Sequence, residues 1–241
     1  MSKFAPVVRK WMKPLQHTPF HPQWLVFRSL RRTREWVHAK ACGTVLDIGC
    51  ADGWVKDVLS SDCSYIGLDY PAGAGGLYDA KPCVFANGAS LPFVESIFDT
   101  VLLLEVLEHV SDPEDVLSEI RRVLKPGGKL LLSVPFLYPL HDAPIDYRRY
   151  TAPGLVQILQ RSGLRASEPS KSNPGFEAVA LLGSIACAES VLAAWQERRW
   201  RLLCAPLFIL AIPFINVLGW MLALVGANRL LASGHIIEAS K

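Results

Sequence analysis

Val45-Leu46-Asp47-Ile48-Gly49-Cys50-Ala51-Asp52-Gly53 joins an apolar run ending in a carboxylate to a loop with two glycines. Tyr65-Ile66-Gly67-Leu68-Asp69 is again a short apolar run, ending in an acid that lies 22 residues after Asp47. Gly49 and Gly53 have no Cβ, so they permit unusual backbone angles and let the chain approach a ligand closely. A carboxylate at the carboxyl end of a strand stands in the crevice where open α/β sheets bind ligands. The third glycine of G-x-G-x-x-G is missing and an acid precedes the first glycine, which disfavours a pyrophosphate on a helix N-terminus. Asp47 suits a positively charged ligand instead. A second concentration of reactive groups runs from Pro135 to Thr151 and includes His141, Asp142, Asp146, Tyr147, Arg148 and Arg149. His141 is the first choice for a general base, with Asp142 or Asp146 orienting it. The competing reading is a loop histidine in a segment held by Asp-Arg pairs. Guanidinium groups suit phosphate or carboxylate, so Arg148 and Arg149, with Tyr147 beside them, are candidates for an anionic substrate.

These groups need a scaffold, and the apolar pattern supplies one. Residues 44 to 48, 64 to 68, 82 to 86, 98 to 104 and 129 to 135 are short apolar runs that read as buried parallel strands. A helix is predicted from Pro113 to Leu124, with Asp112 as N-cap and Pro126-Gly127-Gly128 closing it. Helices are expected in the other gaps as well. Alternating strands and helices imply an α/β fold, a doubly wound and mostly parallel sheet.

The order and spacing of these segments resemble the class I S-adenosylmethionine-dependent methyltransferases. The first loop is similar to their motif I, a strand, Asp-x-Gly-x-Gly-x-Gly and a helix, with Ala51 where the middle glycine usually stands. Leu91-Pro92-Phe93, Phe98-Asp99, Leu107-Glu108-His109-Val110 and Leu124-Lys125-Pro126-Gly127-Gly128 follow as in the small-molecule, type 11-like members. The likeness covers roughly residues 43 to 165. Pro144-Ile145-Asp146-Tyr147-Arg148-Arg149-Tyr150-Thr151 is similar to segments in the methyltransferases of bacterial cell-surface polysaccharide pathways.

The resemblance implies a seven-stranded Rossmann-like sheet and S-adenosylmethionine as cofactor. Asp47, Gly49, Cys50, Ala51 and Gly53 would hold its methionine part, with Glu105 nearby. Asp69, followed by Tyr70, would bind the ribose, because a carboxylate can accept from both hydroxyls at once. Asn87 and Gly88 would meet the adenine; the family usually has Asp at 87, and an amide oxygen can accept the same hydrogen bond. His109 is read as part of helix packing and stays among the candidates for chemistry.

Both ends of the chain depart from a plain core. Residues 1 to 40 hold nine Lys or Arg and one acid, a local charge of +8 in a chain of net +3, so the other 201 residues sum to −5. Trp11, Phe20, Trp24, Phe27 and Trp36 are interleaved with those cations. An anionic membrane surface or a nucleic acid would account for the charge, as would a solvated arm across the cleft. Further on, Leu202 to Ala227 carries no formal charge over 26 residues, and Ala178 to Trp195 is largely apolar. Glu197-Arg198-Arg199-Trp200-Arg201 separates the two, with the cations and tryptophan of a headgroup boundary. His235-Ile236-Ile237-Glu238-Ala239 reads as a strand that must return to the sheet of Asp47. Two crossings would carry the arginines across a membrane, so a re-entrant or interfacial hairpin, bent near Pro206 or Pro213, fits more easily. A buried lid or a dimerisation hairpin is the other reading. These features favour a membrane over nucleic acid.

The expected organisation is therefore a basic aromatic arm (1–40), a cofactor-binding core (41–177), a hydrophobic hairpin (178–232) and a closing strand (233–241). The six cysteines show no Cys-x-x-Cys pair or zinc spacing, so no metal is expected and a reducing compartment is. The reducing compartment implies a catalytic domain on the cytoplasmic side of a membrane, and no signal peptide is expected. Gly73 to Gly76 reads as a loop beside the cofactor. The sequence is read as a methyltransferase acting on a small or lipid-linked acceptor at a membrane surface, by O-methylation. A membrane-tethered binding or scaffolding protein without turnover is the alternative, on the strength of Ala51 and Asn87. A nicotinamide-dependent oxidoreductase is disfavoured by the loop. The acceptor and the oligomeric state are left open.

Overall fold

The computed structural model describes residues 11–70, 82–197, 200–226 and 230–241. The Gly73–Gly76 loop, Arg198, Arg199 and the basic residues before Trp11 lie outside them. The chain divides into two compact units. One comprises the residues up to Arg32, Leu137–Ala143 and Lys171–Gly234; the other comprises Thr33–Phe136, Pro144–Ser170 and His235–Lys241. The basic N-terminal segment thus shares a unit with the apolar insertion.

The second unit is the α/β core. Its strands are β1 (Thr44–Ile48), β2 (Ser64–Asp69), β3 (Val84–Phe85), β4 (Phe98–Leu104), β5 (Leu124–Pro135), β6 (Arg165–Ala166), β7 (Ser170–Pro174) and β8 (Ala232–Ser240), the last two beginning or ending in the other unit. The sheet order is β3-β2-β1-β4-β5-β8-β6, with β7 pairing β8 off this path. Seven strands lie on the path, as expected, and β7 is an eighth. Pairs β1-β2, β2-β3, β1-β4 and β4-β5 are parallel, and β6-β8 is antiparallel. Both faces of the central strands are buried, which is why they read as unbroken apolar runs. Leu46, Val101, Leu103, Leu130 and Leu132 pack into one cluster, while Val45, Leu102 and Leu131 alternate into another on the opposite face.

The helix α1 (Trp24–Lys40) precedes β1, α2 (Pro113–Val123) precedes β5, and α3 (Ala152–Arg161) precedes β6. In α2 the buried Val116, Leu117, Ile120 and Val123 form the predicted face. Asp112 stands at its N-cap without a side-chain capping bond; its carboxylate accepts from the Ser111 hydroxyl at 2.7 Å instead. Strand β5 begins at Leu124, five residues earlier than predicted. The register with β4 jumps from Phe98↔Leu124 to Thr100↔Lys129, so Pro126-Gly127-Gly128 forms a bulge within the strand rather than a break before it. Gly127, at φ +77°, supplies the left-handed residue. A single 3-10 turn, Trp54–Asp57, stands where a helix was expected after β1. The turn-forming Ser60-Ser61-Asp62 follows too soon for a longer element.

The other unit is built on α4 (Phe176–Gln196) and α5 (Ala205–Val225), joined through a 3-10 turn, Trp200–Cys204. A Cβ on Gly219 would lie 2.2 Å from that of Ala180, so the two helices touch backbone to backbone there. Trp24, Leu25, Ala180 and Leu181 form its buried cluster, with Tyr138, Ile215 and Trp220 against it. Trp24 is therefore core, and the Arg28 guanidinium lies 5.1 Å from both the Trp24 and the Trp220 ring centres. Pro206 occupies the first turn of α5, where a missing N–H is harmless, and the helix runs on through Pro213. Phe176–Gln196 and Leu202–Val225 are each long and apolar enough to cross a membrane.

Candidate active site

The carboxyl ends of β1, β2 and β4 assemble a pair of acids and a tight loop. Asp47, on β1, is only 2% exposed. Its Oδ2 accepts a hydrogen bond from the Tyr65 hydroxyl at 2.9 Å. The residue paired with Asp47 across the sheet is Gly67, and a Cβ there would fall 2.9 Å from the Tyr65 oxygen. Glycine in mid-strand thus makes room for the phenol to reach the acid. Burial pushes the Asp47 carboxyl up to about 7; the Tyr65 bond opposes the rise and the charge of Asp69 adds to it. Burial and the same two carboxylates push the Cys50 thiol up to about 12, so it stays protonated. Tyr65 is raised by burial and by Asp47, and remains a donor.

The loop is shaped by close approach. The N–H groups of Gly49 and Cys50 both donate to the Leu68 carbonyl, at 2.8 and 3.1 Å. Gly49 has φ +75°, and a Cβ there would meet Val106 Cγ2 at 2.4 Å. Ala51 also adopts the left-handed region, at φ +46°, in the place where the family usually has glycine. Gly53, at φ +74°, has open space around it. Asp69 ties the loop to β2: Oδ2 accepts from the Ala51 N–H at 3.0 Å and Oδ1 from the Tyr70 N–H at 2.7 Å. A carboxylate has about four acceptor sites, so each oxygen keeps one for a ligand hydroxyl. Tyr70 is exposed beside it.

Asn87 is exposed, and its Oδ1 accepts from the Ala89 N–H at 3.0 Å, which leaves one acceptor site on the amide oxygen. A Cβ on Gly88 would make ordinary contact with Val116 and Ile48, so glycine is not required there.

Glu105, at the end of β4, stands at φ +55°, fixed by N–H bonds to the Ser133 carbonyl and hydroxyl at 3.0 and 3.2 Å. Its surface is open to solvent, yet protein crowds the carboxyl and raises its pKa, against the pull of Ser133 and Arg149. Glu108, in the turn Leu107–His109, is fully buried. Burial first, then the charges of Glu105 and Asp146, push it up to about 9 against the pull of Arg149, so at neutral pH it carries a proton. Arg149 grips Asp146 with a two-pronged bond of 2.5 and 2.7 Å. Arg148 donates to the Val110 carbonyl at 2.7 Å, and the Tyr147 N–H to the Glu108 carbonyl at 2.9 Å. His109 Nδ1 lies 3.1 Å from the Ile145 carbonyl, so this ring secures the 144–150 segment rather than a helix. Arg149, Arg148 and Asp146 are thus structural partners at the edge of the acidic cluster, while the exposed Tyr147 ring faces outward. His141 and Asp142 belong to the other unit, where the His141 ring packs edge-on to Tyr138 at 5.5 Å and Asp142 adopts φ +51°.

Residues 46–132 match the model of a methyltransferase domain. This segment belongs to the class I S-adenosylmethionine-dependent methyltransferases. The match carries the Asp47 loop, Asp69, Asn87 and the Glu105–Val110 turn, and ends before Tyr147. A probable S-adenosylmethionine-dependent methyltransferase of Mycolicibacterium smegmatis is 31% identical over 142 residues, covering 54% of this chain and 55% of that one. A ubiquinone biosynthesis O-methyltransferase of Paraburkholderia xenovorans is 27% identical over 199 residues, covering 70% and 83%. The chain spans about half the length of the mycobacterial relatives that it matches. Among solved structures, an S-adenosylmethionine-dependent methyltransferase from Archaeoglobus fulgidus shares the fold, with a TM-score of 0.53 and 18% identity over 90% of this chain and 94% of that one.

Four residues of the candidate site had no role in it from the sequence alone. Tyr65, Val106 and Ser133 support Asp47, Gly49 and Glu105 from neighbouring strands and turns, and Glu108 is the buried acid of the cluster. Gly67 within an apolar strand was the available signal for Tyr65, since mid-strand glycine marks a close approach.

Proposed function

We propose that the protein transfers a methyl group from S-adenosylmethionine to a small or lipid-linked acceptor at a membrane face, with an oxygen as the acceptor atom. The observation that carries this reading is the Asp69 carboxylate, which organises the loop through two backbone N–H groups and retains an acceptor site on each oxygen. Those sites suit the vicinal hydroxyls of a ribose. The buried Asp47 suits a cationic amino acid end, and the backbone of Gly49 to Gly53 lets the nucleoside approach closely. Asn87 retains one acceptor for an adenine amino group. When bound, S-adenosylmethionine supplies a methyl group already activated by a sulfonium sulfur. The chain's part is to orient the acceptor for in-line attack and to exclude water. His141, with Asp142, is proposed as the base for an oxygen acceptor; both oxygens of Asp146 are engaged by Arg149. Tyr147, Arg148 and Arg149 are proposed to meet an anionic acceptor group.

The membrane part of the proposal is supported by the two apolar helices and by the basic residues of the same unit. The quinone-pathway relative fits an amphipathic acceptor, and the 144–151 segment fits a lipid-linked glycan.

The test is incubation of purified protein with S-adenosylmethionine and lipid or glycan fractions from membranes, reading S-adenosylhomocysteine and a 14-dalton gain in the acceptor. Turnover that disappears in Asp69→Ala is the expected result. Cofactor binding by calorimetry without turnover on any fraction would favour a tethered binding protein, a reading that Ala51 in a glycine conformation also supports. Absence of cofactor binding would overturn the proposal altogether.

A further inference from the structure

The helix pair deepens the membrane reading, on which this inference rests. Helix α5 has two unlike faces. On one, Ala205, Ile212, Asn216 and Gly219 are buried. On the other, Leu207, Leu210, Phe214, Leu218, Met221 and Val225 recur at steps of three or four and are 42% to 84% exposed. That spacing draws one unbroken apolar stripe along the helix.

The middle of the sealed face is polar. The Asn216 side-chain oxygen accepts from the Ser184 hydroxyl at 2.8 Å, and its amide donates to the main-chain carbonyls of Pro19 and His21 at 2.7 and 3.0 Å. Irregular backbone from the N-terminal segment is therefore attached near the midpoint of Leu202–Val225. If α4 and α5 crossed a bilayer, this attachment would bring His17, Thr18 and His21 to the depth of the acyl chains, where irregular backbone and polar side chains are tolerated only inside protein or beside water. A helix lying flat has no such conflict. Its stripe enters the acyl region while the Asn216 face stays with the protein.

The surroundings identify the occupant of the stripe. Residues 11 to 32 contain Lys13, Arg28, Arg31 and Arg32 and no acid, which complements anionic headgroups. Trp195 and Trp200, at the junction of the helices, are 49% and 74% exposed, as expected of side chains at a membrane interface. We propose that α4 and α5 form an in-plane anchor embedded in a single leaflet of an anionic membrane, with the Leu207–Val225 stripe towards the acyl chains and neither helix spanning.

The purified full chain is mixed with vesicles of phosphatidylcholine alone or of phosphatidylcholine and phosphatidylglycerol in roughly equal parts, and bound protein is sedimented. Binding at least ~10-fold greater with phosphatidylglycerol is expected, since each basic residue near the surface contributes about 1 kcal/mol. Leu210→Asp with Phe214→Asp should abolish binding while leaving the melting temperature and cofactor affinity unchanged. Should the aspartates unfold the protein, serines at both positions serve the same purpose. Glu197→Cys, at the end of α4, is then expressed in bacteria and treated with a membrane-impermeant maleimide-polyethylene glycol. One adduct beyond the parent protein in inside-out vesicles, and none in right-side-out vesicles, supports the in-plane anchor. The reverse pattern would show a spanning hairpin, overturning the anchor while leaving the membrane reading intact. A folded protein that ignores both vesicle types, including one whose double variant turns a dimer into a monomer, would overturn both.

Discussion

Asp47→Asn should make the protein more stable with rising pH, relative to wild type, and at the same time weaken its grip on the cofactor. In the folded wild type the Asp47 carboxyl is raised from 3.8 to about 7. The native state therefore holds this proton more tightly than the unfolded chain does. Stability from this group is full below the unfolded value and is lost as pH climbs towards the folded one. One pKa shift unit corresponds to about 1.4 kcal/mol, so the ionised, buried acid costs the fold about 4 kcal/mol well above neutrality. Integrated between about pH 5 and about pH 8, the loss is about 2.5 kcal/mol. Asparagine fills the same space and can still accept from Tyr65, but it has no charge to lose. Its amide NH2 needs a partner that the carboxyl did not, a cost of about 1 to 3 kcal/mol that does not vary with pH. The absolute difference between the proteins is thus uninformative, and its change with pH is the diagnostic. Urea unfolding followed by circular dichroism at the two pH values measures it. Calorimetry with S-adenosylmethionine should show affinity reduced roughly 10- to 100-fold in the variant, the loss of one hydrogen bond to a charged group. A stability difference constant to within about 0.5 kcal/mol across the range would refute the reasoning, because Asp47 would then not titrate inside the fold.

Ala51→Gly should raise stability by about 0.5 to 1 kcal/mol without loss of cofactor affinity, since it relieves a left-handed alanine; denaturant midpoints report it. Gly49→Ala should lower stability by roughly 2 to 4 kcal/mol through its positive φ and the Val106 clash, and adding Val106→Ala should recover only the steric share, as read by thermal melts. Arg149→Met leaves the Asp146 carboxylate buried without its fork and should cost about 3 to 5 kcal/mol, whereas Arg149→Met with Asp146→Leu should restore much of it; an additive double variant would disprove the pairing.

The central strands were readable because strands buried on both faces need an apolar residue at nearly every position, and β1 and β4 run over the residues the pattern marked. The start of β5 was not readable, because Pro126-Gly127-Gly128 is equally good as a helix stop and as a bulge; only pairing with β4 decides between them. Asp47 and Asp69 were legible as acids closing apolar runs. The phenol that holds Asp47 was not, since Tyr65 meets it through cross-strand register, of which mid-strand Gly67 is only an indirect sign. Arg149 and Asp146 form one of the Asp-Arg pairs that the sequence offered, whereas the Val110 carbonyl that holds Arg148 is 38 residues away and not visible in it. Trp24 was read with the surface aromatics of a basic arm, but contacts with residues some 150 positions away bury it.

The helix pair begins and ends at almost one point. Gly175, at the head of α4, donates its N–H to the Leu231 carbonyl at 3.1 Å, so the flanking β7 and β8 are already stapled together where the 55 intervening residues begin and end. Closing a loop of that size adds little entropy once its stems are paired, because the penalty grows only with the logarithm of length. The helix pair is therefore interchangeable in principle: a short turn between those two residues, or a different element, could be fitted at the same junction without altering the order of the strands.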